Sequence, residues 1–218
     1  MASVENRVNI SLLRISLDSR LAALPGLIGA VFFPALTVTA ALKSEDFHPV
    51  SSGLSELAVG PEGWLQAMAF IVLSVSLTVF TGALRRKLPG IDAGTGTRCM
   101  YLAAACMFML SIVPTEDNHA VWSVNRFIHD GFSAGTAIAF PLGCFFLSRS
   151  FKADPGWHSL ASFTIATVAV TLAANALSLL ALTSLEVTGL QQMMILGAGL
   201  TWMGVVSARL FSSGGKSR

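Results

Sequence analysis

The sequence is poor in charge. Asp, Glu, Lys and Arg make up only 12% of its 218 residues, against 53% hydrophobic residues and a mean hydropathy of +0.68. A water-soluble globule carries about twice that share of charge, so this chain cannot cover its surface in water and the bilayer becomes its solvent. Neither sign dominates: 14 Lys and Arg against 12 Asp and Glu leave a formal net charge of +2. Nothing in that balance points to a nucleic-acid binder.

Cysteine is scarce as well. Cys99, Cys106 and Cys144 fall in or beside apolar runs and show no C-x-x-C spacing. This excludes a disulfide framework or a cysteine zinc site, and the three read as small buried apolar side chains. No polar stretch is long enough for a soluble domain. The H-E-x-x-H and H-x-x-x-H spacings of helical zinc sites are missing too.

What is present is an alternation of apolar runs and polar connectors. Runs at about 21–42, 64–84, 94–113, 129–148, 159–182 and 189–211 each approach the roughly 20 residues that a spanning helix needs. Positive charge sorts with the connectors. Arg7, Arg14 and Arg20 precede the first run; Arg85, Arg86, Lys87 and Arg98 fall between the second and third. Arg149 and Lys152 lie between the fourth and fifth, and Arg209, Lys216 and Arg218 follow the last. Only Lys43 and Arg126 lie in the other connectors.

Because Lys and Arg are retained on the cytoplasmic side, the expectation is an all-α membrane protein, a six-transmembrane-helix bundle with both termini inside. Residues 1–20 form a cytoplasmic tail, either frayed or an interfacial helix using Ile10, Leu13 and Leu17. Residues 21–211 form the six-span domain, and 212–218 a second cytoplasmic tail. Val38-Thr39-Ala40 looks like a signal-peptidase site. The run before it is long and follows an extended polar tail, so the first span is expected to be retained.

This topology gathers polar residues on the outer side. Glu45, Asp46, Glu56, Glu62, Glu116, Asp117, Asp130 and Glu186 lie there, with His48, His119 and His129. Loops contact water, which accounts for part of this. His129-Asp130 is different, because it stands where apolar sequence begins, and ionisable groups at membrane depth face a bundle interior or a watery cavity. If 52–56 is helical, Ser52 and Glu56 share a face, as do His129 and Ser133.

An outward-facing pocket built from Ser52, Ser55, Glu56, His119, His129 and Asp130 is the expected ligand site. Glu56, His129 and Asp130 are its catalytic candidates. No metal is expected; His119, His129 and Asp130 are the ligands to examine if one binds. A Ser-His-Asp triad can be assembled from Ser51, Ser52 or Ser55, but no G-x-S-x-G frame surrounds any of them.

Each of these residues has a plainer role to weigh. Asp130 can cap the fourth span, and Asn175 in the fifth reads as an interhelical hydrogen bond before it reads as a ligand contact. Gln191 and Gln192 sit just inside the sixth span. Gly94-Thr95-Gly96-Thr97 reads as a flexible connector. Gly131 and Gly135 form a G-x-x-x-G that suits either tight internal packing or dimerisation.

Four features in order resemble a family of small prokaryotic membrane proteins, the domain of unknown function 998 family. A Pro-Ser-rich segment, His48-Pro49-Val50-Ser51-Ser52-Gly53-Leu54-Ser55-Glu56-Leu57, precedes span two. Span three ends in Val113-Pro114-Thr115-Glu116-Asp117, where family members often have Phe before Pro-Thr and Asp after it. His129 follows in a His-x-x-x-small context, and six spans cover nearly the whole chain. The segment before span two is also loosely similar to that of Frag/DRAM/Sfk-type six-span proteins, which are linked with lipid organisation and lipid-anchor remodelling.

The resemblance implies a prokaryotic cytoplasmic membrane and raises lipid handling by analogy. The leading functional expectation is a protein that binds or organises membrane lipid, or a membrane partner, through the outward pocket. The rival is a membrane-embedded hydrolase or transferase acting on lipid head groups at the outer leaflet. A small-solute transporter is disfavoured, since no ionisable residue lies near mid-membrane and no inverted repeat is evident. No cofactor is assigned. A homo-oligomer and a protein partner are both open.

Overall fold

In hydrocarbon each backbone N–H must find its partner within its own segment, so the apolar runs become helices. The computed structural model describes residues 2–115, 123–181 and 187–213, and side chains for 21–115, 123–177 and 187–212. In these residues the helices are α1 Ala2–Lys43, α2 Gly63–Lys87, α3 Ile91–Ile112, α4 Val124–Ala153, α5 Ala161–Ala181 and α6 Thr188–Ser213. Short 3-10 helices occupy Leu54–Ala58 and His158–Leu160. All 6 long helices are apolar enough to cross a bilayer, the first over Leu21–Lys43. The protein is therefore a multi-pass membrane protein. The backbone of residues 2–20 continues α1 without a break.

The connectors between α1 and α2, α3 and α4, and α5 and α6 share one end of the bundle. It is called the acidic end here for Glu45, Asp46, Glu56, Glu62 and Asp130. The opposite, basic end carries Arg85, Arg86, Lys87, Arg149, Lys152 and Arg209. Each helix packs on its neighbour in sequence, and α6 returns to α1, which closes a ring.

The centre of that ring is filled from α6. Trp202 is fully buried and meets Phe80 of α2 and Phe140 of α4 edge-on, at centroid distances of 5.9 and 5.8 Å. Its indole Nε1 donates to Thr164 Oγ1 of α5 at 3.0 Å, so one residue ties four helices together. Outward-facing positions such as Val31, Phe32, Val75, Leu102 and Val170 are exposed and apolar, as lipid contact requires.

Between helices in lipid, attraction comes from close packing rather than from expelling water. At the crossing of α3 on α4 two backbones come close. A Cβ on Gly96 would stand 3.0 Å from Gly143 O, and one on Gly143 would stand 3.1 Å from Gly96 O. This corrects the reading of Gly94–Thr97 as a flexible connector: it lies in the first turns of α3. There Thr97 Oγ1 donates to Ala93 O at 2.8 Å, and Gly96 admits the neighbouring backbone. The Gly131/Gly135 pair divides. A Cβ on Gly135 would meet Cys106 Sγ at 2.8 Å, whereas one on Gly131 would meet nothing within 4 Å. Internal packing accounts for the first glycine and not for the second.

Candidate functional site

The Pro-Ser-rich segment folds into a cap over the acidic end. The Ser51 and Ser52 N–H groups donate to His48 O at 3.1 and 2.8 Å, and Ser52 Oγ accepts from His48 N–H at 3.2 Å. Ser52 therefore closes a turn, and the helix begins after it, at Leu54. The expected shared helical face of Ser52 and Glu56 does not form. Glu56 instead closes the start of the 3-10 helix, its Oε1 accepting from Gly53 N–H at 2.9 Å. Leu54 and Leu57 anchor the segment in a cluster with Ala40 and Leu65.

α6 holds this cap from the other side. The first N–H groups of a helix have no partner within it, and that of Leu190 donates to Val50 O at 3.1 Å. Gln192 Oε1 accepts from Leu54 N–H at 2.6 Å. The approach is so close that a Cβ on Gly189 would run into the carbonyl oxygens of Pro49 and Ser52.

The exit from α3 is held in a similar way. Val113 ends the helix and Pro114 cannot extend it, having no N–H to donate. His129 Nδ1 lies 2.7 Å from Val113 O, and Asn125 Nδ2 donates to Pro114 O at 2.9 Å. The two donors stand four residues apart, on one face of α4. A carbonyl can only accept, so Nδ1 of His129 carries the proton. His129 is 3% exposed.

Asp130 is elsewhere: its side chain is 64% exposed, with Oδ2 3.8 Å from Arg126 Nε one turn earlier. It is not the cap of α4. That helix begins a turn and a half earlier than the apolar run, and Ser123 Oγ accepts from Arg126 N–H at 3.0 Å. His119 lies outside the described residues, as do Glu116, Asp117 and Glu186. Among the described residues no group of three or more His, Cys, Asp or Glu could hold a metal ion.

Below the cap lies a cavity of about 1020 Å³ between α4, α5 and α6, backed by Phe70 of α2 and Met107 and Leu110 of α3. Leu54 and Ser55 roof it, so Ser55 is the one expected ligand residue that reaches it among those described. Its wall is mainly aliphatic and aromatic. Ser55, Ser133, Thr136, Asn175, Gln191 and Gln192 are the polar members, and among the described residues none that lines it is ionisable. The exposed members belong to two helices, with Ala134, Ile138, Leu142 and Phe145 on α4 and Leu172 and Ala176 on α5. The cavity thus opens sideways along the α4–α5 seam. From Ser133 to Phe145 it follows α4 for roughly 18 Å at 1.5 Å per residue. Trp202 lies about 9 Å beyond the last α6 lining residue, Leu196, on the same rise.

Asn175 has a second task in this wall. Pro141 has no N–H for the carbonyl four residues before it, which is that of Ala137. Asn175 Nδ2 reaches across from α5 and donates to Ala137 O at 3.0 Å. The interhelical bond expected of Asn175 is present, and its partner is the carbonyl that the proline orphans. Asn175→Leu is expected to destabilise the protein by about 1–2 kcal/mol, since a buried acceptor is stranded. In a Pro141→Ala background the new N–H serves Ala137 and the same change should cost only a few tenths. Equal costs in the two backgrounds, measured by unfolding in detergent, would refute the pairing.

Sequence reasoning missed Pro141, and it missed Ser133 as a wall residue. Gly131-Phe132-Ser133-Ala134-Gly135 has the G-x-S-x-G spacing that marks some nucleophilic serines. Here it lies within α4 rather than on a strand-to-helix turn, so it is not a nucleophile elbow. A family model described as "Protein of unknown function (DUF998)" matches residues 27–209. No curated protein and no solved structure matches the chain.

Proposed function

The chain belongs to the DUF998 family, and we propose that it binds a membrane lipid, one acyl chain lying in the cavity between α4, α5 and α6. The carrying observation is the shape and chemistry of that cavity. It is apolar along its length, polar near the cap, and open sideways where a membrane-spanning bundle faces acyl chains. A depth of roughly 18 Å compares with about half of the ~30 Å hydrocarbon core, so the site is one leaflet deep.

Among the described residues the cavity wall offers the hydrolase reading no acid, base or metal ligand. Of its candidates, Glu56 and His129 are engaged with Gly53 N–H and Val113 O, and Asp130 is exposed beside Arg126. Ala137→Phe places a ring in the cavity and is the direct test. Native mass spectrometry of the purified wild type should show a retained lipid, and the variant should lose at least nine-tenths of it. Equal retention by a folded Ala137→Phe protein, with Ala134→Phe as a second filling variant, would overturn the proposal.

Orientation belongs to the same proposal. The Lys and Arg at the basic end support a cytoplasmic location for that end and both termini, by the rule that cytoplasmic loops keep positive charge. The cavity then serves the outer leaflet of the cytoplasmic membrane. A cysteine at Asp46 should react with an impermeant maleimide in intact cells, and one at Lys152 only after permeabilisation. The opposite pattern would reverse the assignment.

A further inference from the structure

We infer that the polar end of the bound lipid is uncharged and is recognised by Gln191, Ser133 and Ser55; this rests on the reading of the cavity as a lipid site. Three of the polar wall residues are committed to the protein itself. Thr136 Oγ1 donates to Phe132 O, Asn175 Nδ2 donates to Ala137 O, and Gln192 Oε1 accepts from Leu54 N–H. The other three are not committed. Among the described residues, the side chains of Ser55, Ser133 and Gln191 make no hydrogen bond, although all three line the cavity.

Gln191 is the telling one. The residue is only 9% exposed, and its carboxamide is a polar group in a mainly apolar wall, where a hydrogen-bonding ligand relieves the cost of leaving it unmatched. Its two donors and its acceptor suit a hydroxyl or an ester carbonyl, which can give and take hydrogen bonds without charge.

Charge points the same way. Among the described residues, an anionic phosphate drawn into this cavity would meet no Lys, Arg or His in the wall, and an unpaired buried ion is far costlier than a buried hydroxyl. The rim disfavours it further. Glu45, Asp46, Glu56, Glu62 and Asp130 lie at this end, and the cations there are already engaged, Lys43 with Glu62 at 3.4 Å and Arg126 with Asp130 at 3.8 Å. The ligand class is a neutral glyceride or another long-chain alcohol or ester.

The test uses the full-length protein in phosphatidylcholine nanodiscs with a diacylglycerol carrying a photoactivatable acyl chain. Unlabelled diacylglycerol should displace the label at about one-tenth the concentration needed by phosphatidylglycerol or phosphatidylethanolamine. Gln191→Leu should weaken diacylglycerol labelling fivefold to tenfold, the loss of one buried hydrogen bond, and remove its advantage over the two phospholipids. Phosphatidylglycerol or phosphatidylethanolamine competing as well as diacylglycerol would overturn the uncharged-ligand inference and leave the lipid site standing. No labelling of α4, α5 or α6, or crosslinks joining two copies along the α4–α5 seam, would overturn the lipid site itself.

Discussion

Trp202→Ala is expected to destabilise the protein by about 3–5 kcal/mol, the range for deleting a buried tryptophan when the surroundings relax only in part. The reason is its place at the centre of the ring. Phe80 and Phe140 would each lose an edge-on partner, and Thr164 Oγ1 would lose a donor. Lipid does not restore these contacts, because the position is fully enclosed. Trp202→Phe keeps an aromatic ring and forfeits the hydrogen bond and part of the volume, so it should cost about 1–2 kcal/mol. Unfolding in mixed micelles measures both. A loss below about 1 kcal/mol for the alanine variant would mean that Trp202 does not organise the bundle.

Gly189→Val should cost about 3 kcal/mol, combining the strain of overpacking with polar groups left unpaired. A side chain there has nowhere to go but into the carbonyls of Pro49 and Ser52. Moving the cap away to relieve that overlap breaks the bonds from Leu190 N–H to Val50 O and from Leu54 N–H to Gln192 Oε1. Amide exchange over residues 48–58 should accelerate by at least tenfold. Gly197→Ala is the control, because its Cβ would meet nothing within 4 Å. In a helix it should be neutral or stabilising by up to about 1 kcal/mol. Equal effects at the two glycines would show that α6 does not latch the cap.

The spans were readable because their signal is one-dimensional: apolar length and the sorting of Lys and Arg need no knowledge of neighbours. Asn175 was readable for a related reason, since a carboxamide inside a span must find a partner. Its partner was not readable, because the proline that frees the Ala137 carbonyl lies on another helix. For the same reason Gly143 escaped notice and Gly96 was read as part of a flexible connector, each being unremarkable alone.

The grouping of His129 with Asp130 went astray through helical geometry. Successive residues on an α-helix point about 100° apart, so His129 turns to the α3 exit while Asp130 turns outward. Glu56 and His129 were singled out as site candidates, and the structure gives each a hydrogen bond to backbone. The cavity itself has no compact signature. Its wall comes from the 3-10 helix and five long helices, and it reads in the sequence as ordinary apolar spacing with a few amides and hydroxyls.

The central claim is that a lipid chain occupies the α4–α5–α6 cavity. Peptide mapping of the protein after illumination with a lipid bearing a diazirine midway along its acyl chain tests it most directly. The account predicts adducts concentrated on Ile138, Leu142, Leu172 and Ile195, and lost in Ala137→Phe. Adducts spread evenly over outward positions such as Val31, Phe32, Val75 and Leu102, and unchanged in that variant, would contradict it.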